Sequence, residues 1–162
     1  MNDKKLENLK KRIFIDTICC FIVSGACLLN IFSKISLMVT IYKYAKDEIE
    51  EMAEVAGDLL GYALICIILF ILGSMLLYIR KNGKPFSKSN IRKMQIIACL
   101  TIGCGILPSA LSTMIMFICT NSFVLEYGVH EIITMFLGSA IGIVSEIFYY
   151  GNELQNDVDL IA

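Results

Sequence analysis

Hydrophobic residues in this chain form four long runs, which cover residues 13–33, 59–79, 94–120 and 132–150. Each run is long enough, within the usual tolerance, to cross a hydrocarbon core of ~30 Å, which takes ~20 helical residues at ~1.5 Å per residue. The runs lack the alternation of a barrel, and an open sheet would leave backbone groups unpaired in lipid. The pattern therefore predicts an all-α integral membrane four-helix bundle that forms a single domain over residues 1–162.

A shorter amphipathic pattern lies between the first two runs. Apolar residues recur there at helical spacing, while acidic residues occupy the opposite face; the apolar positions are Ile49, Met52, Ala53, Ala56 and Leu60. This spacing predicts an amphipathic helix that leads into span two. Its acidic face is either a solvated surface whose apolar stripe packs on protein, or a surface that receives a basic peptide or weakly binds a divalent cation.

Composition supports the membrane assignment and excludes an ordinary soluble domain. Hydrophobic residues make up 57% of the 162 residues, charged residues only 18%, and the mean hydropathy is +0.72. The net charge of -1 hides a strong segregation, because eleven of the fourteen Lys and Arg residues precede span one or lie in the connector 80–93. Basic segments are retained in the cytoplasm, so both termini are predicted to be cytoplasmic and the amphipathic helix extracytoplasmic.

The connector 80–93 has local structure of its own. The Gly-Lys-Pro sequence at 83–85 is typical of a turn, and Ser87 is placed to cap a helix that begins near Lys88. The positive charge of the connector either serves only to orient the protein in the membrane, or it also binds anionic lipid or an acidic partner. It has no element to recognise nucleic acid, so no direct nucleic-acid binding is expected. The docking candidates here and in the tail 151–162 are Arg80, Lys84, Arg92, Lys93, Asp157 and Asp159.

The N-terminus could instead be a cleaved signal, since Val23 to Cys27 faintly resembles a lipoprotein site. The apolar run continues beyond Cys27, and Ser24 stands where such a signal prefers a large aliphatic residue. A retained first span is therefore predicted.

Enzyme, metal and cofactor chemistry have no sequence support. The seven cysteines all fall in the predicted spans without a CxxC pair, and the lone His130 lies in a connector. No nucleophile–base pair or phosphate loop is present. We expect a non-enzymatic protein without a bound metal or cofactor.

Two ionisable residues interrupt the apolar runs at similar predicted depth. Asp16 lies near the inner end of span one, and Glu146 near the inner end of span four. Carboxylates in a membrane mark ion or proton pathways in many transporters. Alternatively, both reach headgroup water, and Asp16 pairs with Arg12 one turn away. Both hypotheses stay open at this point.

Span four also carries a ridge of small residues. Gly138 and Gly142 precede Glu146 at four-residue spacing, and such a face packs against another span or a second copy of the protein. Pro108 is expected to bend span three.

Two segments resemble a known family. They are the connector, with Gly-Lys-Pro-Phe-Ser at 83–87 followed by Asn90, Ile91, Arg92 and Lys93, and the tail Gly-Asn-Glu-Leu-Gln-Asn-Asp-Val-Asp-Leu at 151–160. Together they are similar to a bacterial four-span membrane family catalogued as domain of unknown function 2975, also called YoaS-like, over nearly the whole chain. Asn156 stands where that family usually has an acid. The resemblance implies a cytoplasmic-membrane protein, often found beside a small helix-turn-helix regulator, and supplies no catalytic residue.

These observations predict a regulatory or interaction protein with a cytoplasmic docking face. The alternatives are a small oligomeric transporter or channel that uses Asp16 and Glu146, and a protein that gives immunity to a membrane-active peptide.

Overall fold

The described part of the chain folds into four long helices. The computed structural model describes residues 3–44, 48–83, 87–123, 125 and 127–161, and the side chains among them except those of 3–6 and 155–161. The helices are α1 (Asp3–Tyr44), α2 (Ile49–Asn82), α3 (Lys88–Thr120) and α4 (Val129–Ile161). The all-α prediction is therefore confirmed.

Local sequence accounts for several helix ends. The Ser87 side chain accepts a hydrogen bond from the Asn90 backbone N–H at 3.3 Å, so the predicted cap of α3 is confirmed. Gly83 ends α2 in the left-handed region at φ 66°, and its N–H donates to the Ile79 carbonyl. Asn121 ends α3 with φ 57° in the same way. Both are residue types that adopt this conformation at low cost.

Every helix extends beyond the apolar run that predicted it. The segment predicted as an amphipathic helix forms the first turns of α2, and the tail continues α4 as far as Ile161. Hydrophobic runs mark only the part that can contact lipid, whereas the helical backbone continues through polar turns. The extracytoplasmic placement of the acidic turns stays a prediction.

The helices form a bundle in which each packs against its neighbours in sequence. Antiparallel contacts join α1 to α2, α2 to α3 and α3 to α4, and within the described chain no other pair of helix backbones approaches closely. Helix α3 therefore lies between α2 and α4, and α1 lies at one edge against α2. We define the acidic end as the end where α2 and α4 begin, and the basic end as the end where they finish.

The outer surface of the bundle is apolar. Leu29 on α1 and Phe136 on α4 are 71% and 73% exposed, and many other large aliphatic and aromatic side chains are also uncovered. Each of the four described helices is long and apolar enough to cross a membrane. An apolar surface of this extent is covered by lipid in a multi-pass membrane protein, so the predicted contact with the bilayer is confirmed.

Candidate functional site

A groove opens at the acidic end of the bundle. Helices α2 and α4 both pack on α3 but not on each other, so α3 forms the floor between two walls. The groove has a volume of about 830 Å³, within the usual range of ligand sites.

The walls of this groove carry carboxylates from two helices. Glu50, Glu54 and Asp58 line it from α2, and Glu131 lines it from α4. Glu50 and Glu54 are exposed and form no ion pair with any described basic side chain. No Lys or Arg is among the described lining residues, and His130 is the one basic side chain there. The groove is therefore a region of negative potential.

The other two carboxylates have partners. Asp58 accepts a hydrogen bond from Lys34 of α1 at 2.6 Å, which ties α1 to α2 at this end. His130 Nε2 lies 2.9 Å from Glu131 Oε1. The second oxygen of Glu131, Oε2, is buried without a hydrogen-bond partner among the described residues. A buried carboxylate oxygen without a partner is costly, so this wall has an unused acceptor.

Small residues and Pro108 make the floor. Gly57 and Gly61 of α2 lie against Pro108 of α3, so the two backbones approach closely. The single hydroxyl proton of Ser112 is shared between the Ala53 carbonyl oxygen of α2 at 2.9 Å and the Pro108 carbonyl oxygen of its own helix at 3.2 Å. Pro108 has no backbone N–H, so one backbone hydrogen bond of α3 is missing at this point. The groove lies over this position.

Several charged side chains at the basic end contact other parts of the bundle. The Arg80 guanidinium lies 4.2 Å from the centre of the Phe14 ring, and Lys93 Nζ lies 3.3 Å from Ser74 Oγ. Lys88 Nζ is 3.3 Å from Glu153 Oε1, so the start of α3 contacts α4 about two turns before α4 ends. Arg92 is exposed.

Three docking candidates lie outside the described part of the chain. Lys84 is not among the described residues, and neither are the side chains of Asp157 and Asp159. Their predicted role stays a prediction.

The two candidate intramembrane carboxylates are not brought together. Asp16 lies on α1 and Glu146 on α4, which occupy opposite edges of the bundle. Glu146 accepts a hydrogen bond from Gln95 of α3 at 2.9 Å. Asp16 is exposed, and none of the ion pairs of the described residues joins it to Arg12.

The candidate packing glycines lie on α4 toward α3. A Cβ at Gly138 would lie 2.8 Å from the Ile102 backbone nitrogen and 3.0 Å from the Ala98 carbonyl oxygen. At Gly142 it would lie 3.7 Å from the Ala98 Cβ, which is an ordinary contact. In one chain, therefore, the neighbour of this ridge is α3.

Sequence reasoning missed the residues that complete the groove. The four-residue spacing of Glu50, Glu54 and Asp58 indicated one face of a helix. That this face lies across the groove from Glu131 depends on how α2 and α4 pack on α3. Ser112 carried no sequence signal beyond its type. Among the described residues no group of three His, Cys, Asp or Glu side chains is placed to hold a metal ion.

Comparison with known proteins places the chain in a family. No curated protein and no solved structure matches it. The family model described as protein of unknown function (DUF2975) matches residues 40–161, which include all of α2, α3 and α4 and the end of α1. The resemblance found in the connector and the tail is thereby confirmed. The chain belongs to the DUF2975 family of proteins of unknown function.

Proposed function

We propose that this protein is a non-enzymatic, multi-pass interaction protein of the bacterial cytoplasmic membrane that docks a soluble partner at its basic end. The four membrane-crossing helices and the family support the membrane setting. In this proposal the partner is cytoplasmic, and a small helix-turn-helix regulator is the class that the family resemblance suggests.

The distribution of Lys and Arg supports the orientation. The basic end collects the N-terminal segment and the connector 80–93, and these segments contain most of the basic residues of the chain. Positively charged segments next to a span are retained in the cytoplasm. The basic end and both termini are therefore assigned to the cytoplasm in this proposal, and the acidic groove to the opposite side.

The contact between Lys88 and Glu153 is the observation that carries the proposal. It joins the first turn of α3 to a late turn of α4, so the end of the connector lies beside the start of the tail. Arg92 follows Lys88 by four residues on the same face of α3 and is exposed. Arg80, which is exposed, contacts Phe14, and the half-buried Lys93 contacts Ser74 and Tyr78, so both charges are held beside this surface. Among the described residues, Arg92 is the strongest docking candidate.

A pull-down from membranes tests this docking surface. We expect the intact protein to recover a soluble partner, and both Arg92→Glu and a variant without residues 151–162 to recover much less. Lys43→Glu is the matched control, because Lys43 is exposed at the acidic end and its replacement changes the charge equally. Equal recovery by Arg92→Glu and Lys43→Glu would contradict docking at the basic end.

The transporter alternative gains no support from the packing. Within one chain Asp16 and Glu146 lie on the two edge helices, so the oligomeric transporter that was predicted would need a second copy to bring these carboxylates together. The peptide-immunity alternative depended on the acidic segment, which forms one wall of the groove.

A further inference from the structure

Two contacts mark the ends of the membrane-crossing part of α1. The Arg80 guanidinium lies over the Phe14 ring at the basic end, and Lys34 pairs with Asp58 at the acidic end. The stretch of α1 from Phe14 to Lys34 is ~30 Å long at ~1.5 Å per residue, which matches the thickness of a hydrocarbon core. The residues of α1 between these two levels are therefore surrounded by lipid or by protein, not by water.

The exposed polar side chains of this stretch all lie on one flank of α1. We define the polar seam as six exposed residues that alternate at intervals of three and four: Asp16, Cys19, Val23, Ala26, Asn30 and Ser33. The flank on the other side of α1 has the same spacing and exposure but no polar side chain, and it consists of Phe14, Ile18, Phe21, Gly25, Leu28 and Phe32. Lipid suits the apolar flank, whereas the polar seam suits protein.

The polar seam has hydrogen-bonding groups that one chain does not use. The Asn30 amide donates to the Ala26 carbonyl of its own helix at 3.0 Å, and its oxygen accepts no hydrogen bond from the described residues. Asp16 forms no ion pair with any described basic side chain. Among the described helices α1 packs on α2 alone, so no further helix of the same chain covers the seam. Polar groups that face hydrocarbon are costly, so a protein partner is needed here.

We propose that a second copy of this chain covers the polar seam, so that two α1 helices pack in parallel as a left-handed pair. Intervals of three and four residues are the repeat that keeps two helices in contact along a left-handed supercoil. Copies inserted in one membrane share one orientation, so two seams run parallel and meet in register around a two-fold axis. This inference does not depend on docking of a soluble partner at the basic end.

The polar seam is complementary to itself. An Asn side chain has both donors and an acceptor, so the two Asn30 amides can bond each other across the axis, where a single Asn fixes the register of paired helices. Arg12 is exposed one turn from Asp16 on the same flank, so each Arg12 lies beside Asp16 of the other copy. The ridge at Gly138 does not compete for the second copy, because α3 already covers it within one chain.

The native Cys19 tests the pairing directly. It lies in the polar seam, so the two Cys19 thiols of a parallel pair lie close together. Membranes that contain the full-length protein are treated with copper phenanthroline, which oxidises neighbouring thiols to a disulfide. We expect a covalent product of twice the 18.1 kDa chain mass. It should disappear in Cys19→Ala and persist in Cys99→Ala, because Cys99 is also exposed but lies on α3.

Two results of this oxidation would overturn the proposal. A covalent dimer that persists in Cys19→Ala and disappears in Cys99→Ala would place the contact on α3. A product with the mass of one chain joined to a different protein would give the seam another occupant.

Asn30→Leu tests the hydrogen bond between the copies. Purified protein in vesicles is oxidised at a series of lipid-to-protein ratios, and the ratio that gives half-maximal dimer reports the strength of association. Loss of the bond between the two amides should lower that ratio by about tenfold, whereas Asn30→Gln should stay near the parent value. The printed bond of Asn30 is to its own helix, so Asn30→Leu should fold. Absence of a dimer of the parent at every ratio would contradict the proposal.

Ser139→Leu is the matched control on the opposite edge of the bundle. Ser139 is exposed and donates to a carbonyl of its own helix, so its replacement removes a similar polar group outside the polar seam. We expect its half-maximal ratio to equal that of the parent. An equal loss in Ser139→Leu and Asn30→Leu would indicate a general effect of polarity in lipid and would refute the seam. Parent-like association of Asn30→Leu would refute it as well.

Discussion

Helices α1 and α3 both pack on α2, but they do so by different means. Helix α3 approaches α2 and α4 at the level of the backbone. A Cβ at Gly57 would lie 2.8 Å from the Pro108 carbonyl oxygen, and a Cβ at Gly105 would lie 2.8 Å from the Glu131 carbonyl oxygen. Lipid gives no hydrophobic force between helices, so close packing of small residues joins α2, α3 and α4.

Helix α1 packs on α2 through both small and long side chains, and Ser24 Oγ of α1 lies 3.2 Å from Cys66 Sγ of α2. The Phe21 ring covers Gly73 and meets Phe70 edge to face, and Lys34 reaches Asp58 at 2.6 Å. A Cβ at Gly25 of α1 would meet no atom within 4 Å, so this glycine brings no backbone close. Side-chain contacts of this kind tolerate small shifts, because rotamers can adjust where backbones cannot.

This contrast parallels the extent of the family match. The DUF2975 model covers the three helices that are joined by backbone-level contacts, together with only residues 40–44 of α1. Helix α1 lies mostly outside the matched region and packs at the edge of the bundle, against α2.

The largest expected effect is that of Gly138→Ala at the α3–α4 interface. The added methyl group would press on backbone atoms of Ile102 and Ala98, and overpacking of this kind costs about 1–3 kcal/mol. Gly25→Ala is the matched control on α1, where nothing lies nearby. Melting temperatures in detergent should fall clearly for Gly138→Ala alone. Equal melting of the two variants would remove the distinction between the interfaces.

A smaller effect is expected for Ser112→Ala. It removes the hydrogen bond to the Ala53 carbonyl that joins α3 to α2, which contributes about 1 kcal/mol. Ser139→Ala is the control, because the Ser139 hydroxyl donates to Met135 of its own helix. Thermal unfolding should show a loss for Ser112→Ala beyond that of Ser139→Ala. A larger loss for Ser139→Ala would argue against the bond between helices as a stabilising contact.

The smallest effect is expected for Lys34→Met on α1. The Lys34–Asp58 pair is partly exposed, so its loss should cost below about 1 kcal/mol and should shrink in high salt. Lys11→Met breaks the more exposed Lys11–Glu7 pair of the same helix and should cost even less. Melting curves at low and high salt measure both. A larger loss of stability for Lys34→Met than for Gly138→Ala would contradict the expected order of the two contributions.

Much of the fold was accessible from sequence, because long apolar runs in lipid have few structural solutions. The four runs predicted four helices, and the Ser87 cap was found from its residue type and position. The starts of α2 and α3 agree with the predicted amphipathic pattern and cap, but the extension of α4 was not predicted, since the polar turns 151–161 carry no hydropathy signal for a span. Gly151 interrupts neither the hydrogen-bonding pattern nor α4.

The candidate site was accessible only in part. The acidic row on α2 follows from helical spacing, but its partner Glu131 is distant in sequence and is placed by the packing of α4. Asp16 and Glu146 have a similar predicted depth, but they lie on helices that are not neighbours. Depth alone does not determine which helices pack together.

The sequence by itself determined that this is a helical membrane protein with one strongly basic end, because hydropathy and charge act locally along the chain. Tertiary structure alone decided the order in which the helices pack and the groove over Pro108. That order depends on which backbones can approach, and small residues such as Gly57, Gly105 and Gly138 permit this only where the opposing surface is complementary.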